Sequence, residues 1–132
     1  MSSFHLQIVT PDGEFFDGQA QRVKVRTISG DVAILDRHIP YVTALGTGEA
    51  SVITEDGTVR RAAASGGMLS VTPDIVRVVA TTFEWAEDID LDRAQRAKER
   101  AEERIRKARD AKELELAKAK LARALVRIKV GQ

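Results

Sequence analysis

Four arginines in the last third of this sequence are, by residue type and spacing, the side chains best suited to bind an anion. Arg93 and Arg100 are seven residues apart. Arg123 and Arg127 are four apart, and each spacing places a pair on one face of a helix. Glu115 is the last acidic residue, so the second pair has no acidic partner on its own helix. If the pairs converge, four guanidinium groups would repel one another unless an anion such as a triphosphate bridged them. The alternative is that they simply point into water.

Other cations in this region have acidic neighbours at helical spacing. Arginines and lysines on a helix surface are usually neutralised by an acid three or four residues away. The spacing predicts three ordinary, solvated ion pairs: Asp92 with Arg96, Glu102 with Arg106, and Glu103 with Lys107.

Residues that could catalyse a reaction are not arranged to do so. The two histidines, His5 and His38, have no serine or cysteine context that would suggest an activated nucleophile. The glycine pair within Ser65–Met68 lacks the lysine of a phosphate-binding loop, and we predict a β-turn or bulge there. The chain has no cysteine and hence no thiolate zinc site. We therefore predict no catalytic residues, no metal site and a protein that is not an enzyme.

The net charge of +1 conceals a division between the two parts of the chain. Residues 1–88 carry 7 Lys/Arg against 12 Asp/Glu, a balance of −5, whereas residues 89–132 carry 14 against 8, a balance of +6. A basic segment of this kind favours an anionic partner, whether carboxylates, nucleotide phosphates or nucleic acid. The sequence contains no apolar run of about 18 residues and no secretory leader pattern, so we expect neither a membrane span nor export.

A helical arm over residues 89–132 is needed to position the arginines. From residue 74 to residue 130 there is no glycine or proline, and strong helix formers dominate after Asp88. Asp90 is the predicted N-cap of a first helix and Asp110 that of a second. Apolar residues recur at helical spacing in a mostly alanine stripe (Leu91, Ala94, Ala97, Ala101, Ile105, Ala108) and in a bulkier one (Leu114, Ala117, Leu121, Leu125, Ile128).

The break at Asp110 is weak, which leaves two shapes open for the arm. One Asp costs a continuous helix well under about 1 kcal/mol. A single rod would extend about 60 Å and a hairpin about 30 Å, at a rise of about 1.5 Å per residue. An arm this finely balanced is expected to be bistable.

Residues 1–88 predict an all-β head. All three prolines and eight of the nine glycines precede residue 74, where they separate short apolar runs. Asp56-Gly57 predicts a tight hairpin turn, as does Asp12-Gly13. We predict eight to ten short strands in this head. That number favours an antiparallel β-sandwich or flattened barrel, followed by the helical arm. Alternation of polar and apolar residues marks three of these strands, Phe4–Val9, Arg22–Arg26 and Ile75–Ala80.

Motifs in both parts resemble those of the epsilon subunit of the rotary ATP synthase, and the resemblance covers essentially the whole chain. In the arm, Ile89–Ala94 resembles the family's I/L-D-x-x-R-A nucleotide motif. Ala33 stands where the family often has a glycine. In the head, the resemblance rests on Val9–Gly13, on Ser29–Leu35 followed by His38–Pro40, and on Ser65–Val71.

The resemblance implies a non-catalytic subunit of the bacterial proton-translocating enzyme. The head would bind the gamma subunit of the central stalk near the membrane ring of c subunits. The arm would switch between a folded hairpin and an extended form that inhibits ATP hydrolysis. When extended, it would meet the acidic C-terminal regions of the catalytic beta and alpha subunits. The implied location is peripheral, at the cytoplasmic face of the cell membrane.

The resemblance also implies ATP, with or without magnesium, as a regulatory ligand of the folded hairpin. The four arginines described at the outset would hold the phosphates. Ile89 and Ala94 would contact the base, and Glu84 and Asp90 would accept hydrogen bonds. A ligand specific to the hairpin stabilises it by about 2.7 kcal/mol at a hundredfold excess over Kd, which makes a balanced arm about 99% folded. Carried onto this chain, the ATP-binding set is Glu84, Ile89, Asp90, Arg93, Ala94, Arg100, Arg123 and Arg127.

Two other classes of protein compete with this interpretation. A basic-tailed nucleic-acid module is disfavoured because the arm interleaves eight acids with its bases and has no aromatic residue for stacking. A coiled-coil adapter is disfavoured because the alanine stripe lacks a sustained core of leucine and isoleucine.

Overall fold

The computed structural model describes residues 2–132 and shows a β head followed by a helical hairpin, as the sequence predicts. A short 3-10 turn, Ala86–Asp88, joins the two parts. The helices are α1, Leu91–Lys107, and α2, Ala111–Gly131. The strands are β1 Phe4–Thr10, β2 Gly13–Thr27, β3 Gly30–Leu35, β4 Tyr41–Ala44, β5 Thr47–Thr54, β6 Val59–Val71 and β7 Val76–Trp85.

The head is a seven-stranded β-sandwich, so the predicted fold class is confirmed while the predicted count of eight to ten strands is wrong. The count is lower because β2 and β6 are long, at 15 and 13 residues, and each pairs with several neighbours. The strand order is β1-β7-β6-β5-β2-β3, with β4 on β6, and a β1–β2 pairing closes the ring from β1 to β2 in the manner of a flattened barrel, with β3 outside that ring. All described pairs are antiparallel except β1 with β7. The core includes the fully buried Leu6, Ile8, Val23, Val52, Leu69 and Val78.

The glycine pair lies where β6 changes partner. Val59–Ser65 pairs with β5, whereas Met68–Val71 pairs with β4. Gly66 and Gly67 have φ of 71° and 100°, a region that L side chains rarely adopt. The register with β7 is the same on both sides of the pair, so the segment is a kink in one strand and the predicted turn or bulge is wrong.

The hairpin predicted at Asp56-Gly57 is confirmed, since β5 and β6 pair antiparallel around it. Gly57 has φ of 89°, and the Asp56 carboxylate accepts a hydrogen bond from the Thr58 backbone N–H at 3.0 Å. Hydrogen bonding, first from the Thr54 hydroxyl and then from the Thr58 N–H, lowers the pKa of Asp56 from 3.8 to about 2.

This turn gives the head an acid-sensitive contribution to stability. Because the folded pKa lies below the unfolded one, the unfolded chain binds more protons between these values. The contribution is therefore fully present above pH 3.8 and is lost as the pH falls through about 2. At neutral pH we expect the urea midpoint of unfolding to be lower for Asp56→Asn than for the unsubstituted protein. The two midpoints should converge as the pH approaches about 2. A difference that stays constant down to that pH would contradict the prediction.

Both helix starts predicted from the sequence are confirmed. The Asp90 carboxylate accepts from the Arg93 N–H at 3.1 Å, and the Asp110 carboxylate accepts from the Glu113 N–H at 2.8 Å. The second cap is reinforced by Glu113, whose carboxylate accepts from the Arg109 N–H at 3.0 Å. Two capped helices rather than one rod therefore make up the arm.

The hairpin packs through small residues. α2 lies against β5 and β6, and α1 packs on α2. The alanine stripe of α1 buries Ala94 and Ala101. On α2 the buried residues are Ala117, Ala124 and Val130, whereas Leu125 of the predicted stripe is 45% exposed. Because α2 has two partners, the sheet and α1, its buried residues do not follow the single predicted stripe.

Candidate anion-binding groove

A groove between the two helices is lined by cations and small residues. Its volume is about 330 Å³, and its floor includes Ala97 and Ala101 of α1, which leave room above the helix surface. No carboxylate belongs to its lining within residues 2–132. The five cations that line it are Arg100 and Arg104 from α1, and Lys120, Arg123 and Arg127 from α2.

A second cavity, of about 190 Å³, lies where α2 meets the head. It shares Arg123 and Arg127 with the groove, so the two spaces meet at these side chains. Its walls come from β6 residues Ala63, Ala64 and Ser65, from β7 residues Thr82, Phe83 and Glu84, and from Asp12, Thr47 and Val126.

Arg127 has an acidic partner from another element. Its Nε lies 3.3 Å from Oε1 of Glu84 on β7, and both side chains are about one-third exposed. The inference that its own helix offers no acid is correct, but it missed this partner because the two residues are far apart in sequence. Within the described chain, Arg93, Arg100 and Arg123 have no ion-pair partner within 4.0 Å. The groove therefore keeps an excess of positive charge even after Arg127 is paired.

The structure gathers part of the predicted ATP-binding set. Arg100, Arg123 and Arg127 line one groove, and Glu84 adjoins it through Arg127. Arg93 is exposed on α1, one turn before Ala97, and lines neither cavity.

The other predicted site residues lie at the base of the arm. Ile89 is half-buried and meets the end of α2, because a Cβ on Gly131 would approach its side chain to 2.9 Å. Ala94 is only 2% exposed, within the helix interface. Asp90 uses its carboxylate as the cap of α1. These three residues thus have structural roles in the hairpin, whatever they contact in addition.

Two groove residues, Arg104 and Lys120, are absent from the predicted set. Helical spacing could have found both, since Arg104 follows Arg100 by four residues and Lys120 precedes Arg123 by three. The head residues of the second cavity carry no such signal, because neighbouring strands bring them together.

Of the three ordinary ion pairs predicted on α1, one is present among the described residues and two are not. Glu103 does bond Lys107, at 3.0 Å, as predicted. Arg106, however, bonds Glu103 instead of Glu102. Glu102 lies 3.4 Å from Lys98, a cation one turn earlier that the prediction overlooked. The pair predicted between Asp92 and Arg96 is not among the ion pairs of the described residues, which fits the short reach of an Asp side chain.

The connection between head and arm is held by Arg60 of β6. Its guanidinium lies 3.7 Å from the ring centroid of Trp85, the last residue of β7. It also donates to the Glu87 carboxylate at 2.9 Å, and this hydrogen bond lowers the pKa of Glu87. Trp85 is the only tryptophan in the chain and directly follows Glu84, so its fluorescence reports on both the connection and the site.

The architecture and the site define a class of protein: a β-sandwich with a C-terminal, cation-lined helical hairpin docked on one side. The chain belongs to the ATP synthase delta/epsilon chain family. Residues 3–86 match the family's beta-sandwich domain, and residues 87–132 match its long alpha-helix domain. The family predicted from the motifs is thereby confirmed.

Bacterial relatives match over nearly the whole chain. The ATP synthase epsilon chain of Bacillus velezensis is 44% identical over 131 residues, covering 99% of this chain and 98% of the relative. The ATP synthase epsilon chain of Caldanaerobacter subterraneus subsp. tengcongensis is 40% identical over 129 residues, covering 98% and 94%.

Solved structures share the fold at low sequence identity. A chain of the Euglena gracilis mitochondrial ATP synthase, described as OSCP/F1/c-ring in rotational state 1, aligns with a TM-score of 0.80 and 21% identity, over 92% of this chain and 77% of that one. A chain of the Tetrahymena thermophila mitochondrial ATP synthase central stalk and c-ring aligns with a TM-score of 0.67 and 14% identity, over 99% and 98%.

Proposed function

We propose that this chain is a regulatory, non-catalytic subunit of the ATP synthase central stalk, and that ATP holds its arm in the docked hairpin. The observation that carries the proposal is the groove that brings Arg100, Arg123 and Arg127 together without a lining carboxylate. Guanidinium groups bind phosphate oxygens through charge-assisted hydrogen bonds. Its relatives carry the name ATP synthase epsilon chain, which fits a stalk subunit.

A ligand of this groove would act as a switch, because the groove exists only while the arm is folded. One wall belongs to α1 and the other to α2, so extension of the arm separates Arg100 from Arg123 and Arg127. Binding to one state alone shifts the equilibrium toward that state. Arg93 would join these three on the phosphates, Ile89 and Ala94 would contact the base, and Glu84 and Asp90 would accept hydrogen bonds.

The extended arm is the inhibitory state in this proposal. The helices dock largely through alanines, whose burial contributes less than that of larger side chains, and through the part-exposed Glu84–Arg127 ion pair. Release of the arm would expose basic residues of both helices. These would contact the acidic C-terminal regions of the catalytic beta and alpha subunits and block ATP hydrolysis.

An apolar surface on the head supports the proposed attachment to the gamma subunit and the c ring. Ile39 is 83% exposed, and with the exposed Leu35 and Tyr41 it lines a depression of about 480 Å³; Val42, the residue after Tyr41, is also exposed. Exposed apolar clusters of this kind mark protein contacts. The loop that carries Ile39 is tied down by His38, whose ring nitrogens lie 2.9 and 2.7 Å from the carbonyl oxygens of Leu35 and Thr72.

Such attachment would place the protein peripherally, at the cytoplasmic face of the bacterial membrane. Among residues 2–132, neither helix combines the length and the apolar character needed to cross a bilayer.

Titration of ATP into the isolated protein tests the proposal. We expect saturable one-to-one binding by calorimetry, with a parallel change in Trp85 fluorescence. Arg96→Gln is the control, because Arg96 is exposed on α1 and lines no described cavity. Absence of heat at millimolar ATP would refute the ligand. Steeply salt-dependent binding to mixed-sequence DNA would instead favour the nucleic-acid module.

A further inference from the structure

The groove is lined by two cations, Arg104 and Lys120, in addition to arginines assigned to ATP. Arg93, Arg100 and Arg104 recur along one face of α1, at spacings of seven and four residues. Lys120, Arg123 and Arg127 recur along one face of α2, at spacings of three and four. A triphosphate carries about four negative charges near neutral pH, about two of them on the terminal phosphate. Arg104 and Lys120 are the cations for which the proposed ATP site has no use.

These two cations extend the groove toward the hairpin tip. A neighbouring hollow of about 490 Å³ shares Arg100, Arg104 and Lys120 with the groove and continues over Leu116 and Ala117. The cationic row is therefore continuous. It extends about 6 Å along α1 from Arg100 to Arg104 and about 10 Å along α2 from Lys120 to Arg127, at about 1.5 Å per residue.

Two acids, Glu103 and Glu113, also line the hollow, and each is engaged by groups other than Arg104 and Lys120. Glu103 bonds Arg106 and Lys107. Glu113 accepts from the Arg109 backbone N–H as part of the α2 cap. Among the described residues, Arg104 and Lys120 themselves have no acidic partner within 4.0 Å.

We propose that the groove binds linear polyphosphate chains longer than a triphosphate, and that Arg104 and Lys120 hold the phosphates beyond the third. A flexible chain with about one charge per internal phosphate matches a continuous row of cations on two facing helices. The inference requires the docked hairpin but not that ATP is its physiological ligand. It goes beyond the proposed function by adding a ligand class and two binding residues.

The test compares anions that differ only in chain length. Calorimetry at fixed ionic strength is done with ATP against adenosine 5′-tetraphosphate, and with inorganic tripolyphosphate against a longer linear polyphosphate of defined length. We expect the longer member of each pair to bind at least about tenfold more tightly, as one or two added charge-assisted contacts would give. Equal affinity within each pair would overturn the proposal.

Two double variants separate the groove from general charge. Arg104→Gln/Lys120→Gln should abolish the advantage of the longer chains, measured as the ratio of affinities within each pair of anions. Arg96→Gln/Lys112→Gln removes the same net charge from exposed positions that do not line the groove, and it should retain the advantage. Equal losses in both variants would show non-specific attraction, and circular dichroism checks that both keep the hairpin.

The outcomes also separate this inference from the proposed function. Tight binding of long polyphosphate without measurable ATP binding would refute ATP as the ligand and leave the groove inference intact. ATP binding with no gain in affinity for longer chains would support ATP as the ligand and refute the polyphosphate inference. Single-stranded DNA that competes as well as polyphosphate would overturn the assignment of a polyphosphate ligand.

Discussion

Replacement of Gly67 by alanine is expected to lower the free energy of unfolding of the head by about 4 kcal/mol or more. The residue has φ of 100°, and a Cβ there would lie 1.8 Å from the Val79 carbonyl oxygen and 2.9 Å from the Ala80 Cα. Both contacts are with β7 backbone that pairs with β6 and with β1, so the neighbour cannot move without breaking strand hydrogen bonds. The measurement is urea denaturation followed by Trp85 fluorescence.

Gly57→Ala provides a matched control for this prediction. Gly57 has a similar φ of 89°, but a Cβ there meets nothing within 4 Å. Its substitution should cost only the backbone strain, about 1–2 kcal/mol. The excess loss in Gly67→Ala therefore isolates the steric clash at the β6 kink. Equal stability of the two variants would contradict the close approach of the β6 backbone to β7 at Gly67.

Loss of ATP binding on removal of groove arginines is the second large effect we expect. Arg100→Gln and Arg123→Gln should each weaken ATP binding by about 10-fold to 150-fold, the range for hydrogen bonds to charged groups. The two residues belong to different helices, so each variant also reduces the preference of the ligand for the hairpin. Calorimetry gives the affinity, and circular dichroism with sedimentation checks the fold.

Comparison with Arg93 makes this prediction specific to the observed groove. Arg93 belongs to the family motif but lines neither described cavity, so Arg93→Gln should weaken ATP binding less than Arg100→Gln does. The distant Arg96→Gln should have no effect beyond a slight change in net charge. Equal losses in Arg93→Gln and Arg100→Gln would mean that the ligand reorganises α1 on binding. Equal losses in Arg96→Gln and Arg100→Gln would refute the site.

Sequence reasoning located part of the candidate site and missed the rest for identifiable reasons. Arg123 and Arg127 stood out because they had no acid on their own helix, and Arg100 because it lies seven residues after Arg93 on one helix face. The structure brings Arg100, Arg123 and Arg127 together. Arg104 and Lys120 were missed although their spacing was available. Glu84 came from the family resemblance alone, since nothing near it in sequence indicates a partner on α2.

The sequence by itself determined the features that depend on only a few neighbouring residues. Asp90 and Asp110 begin helices because a carboxylate accepts from the N–H three residues later. Asp56-Gly57 makes a hairpin because its φ requirement and hydrogen bonds are local. The division of charge between head and arm likewise needs no coordinates.

Only the tertiary structure decided the features that depend on where α2 and the strands lie relative to one another. The docking of α2 on β5 and β6 sets the distance between Arg127 and Glu84 and leaves Leu125 exposed. The pairing of β6 with β7, in one register before and after the glycine pair, places that pair inside a single strand. Packing across the whole chain fixes these placements, and no short stretch of sequence contains both partners. The same holds for the groove, since its two rows of cations become one site only when the hairpin folds.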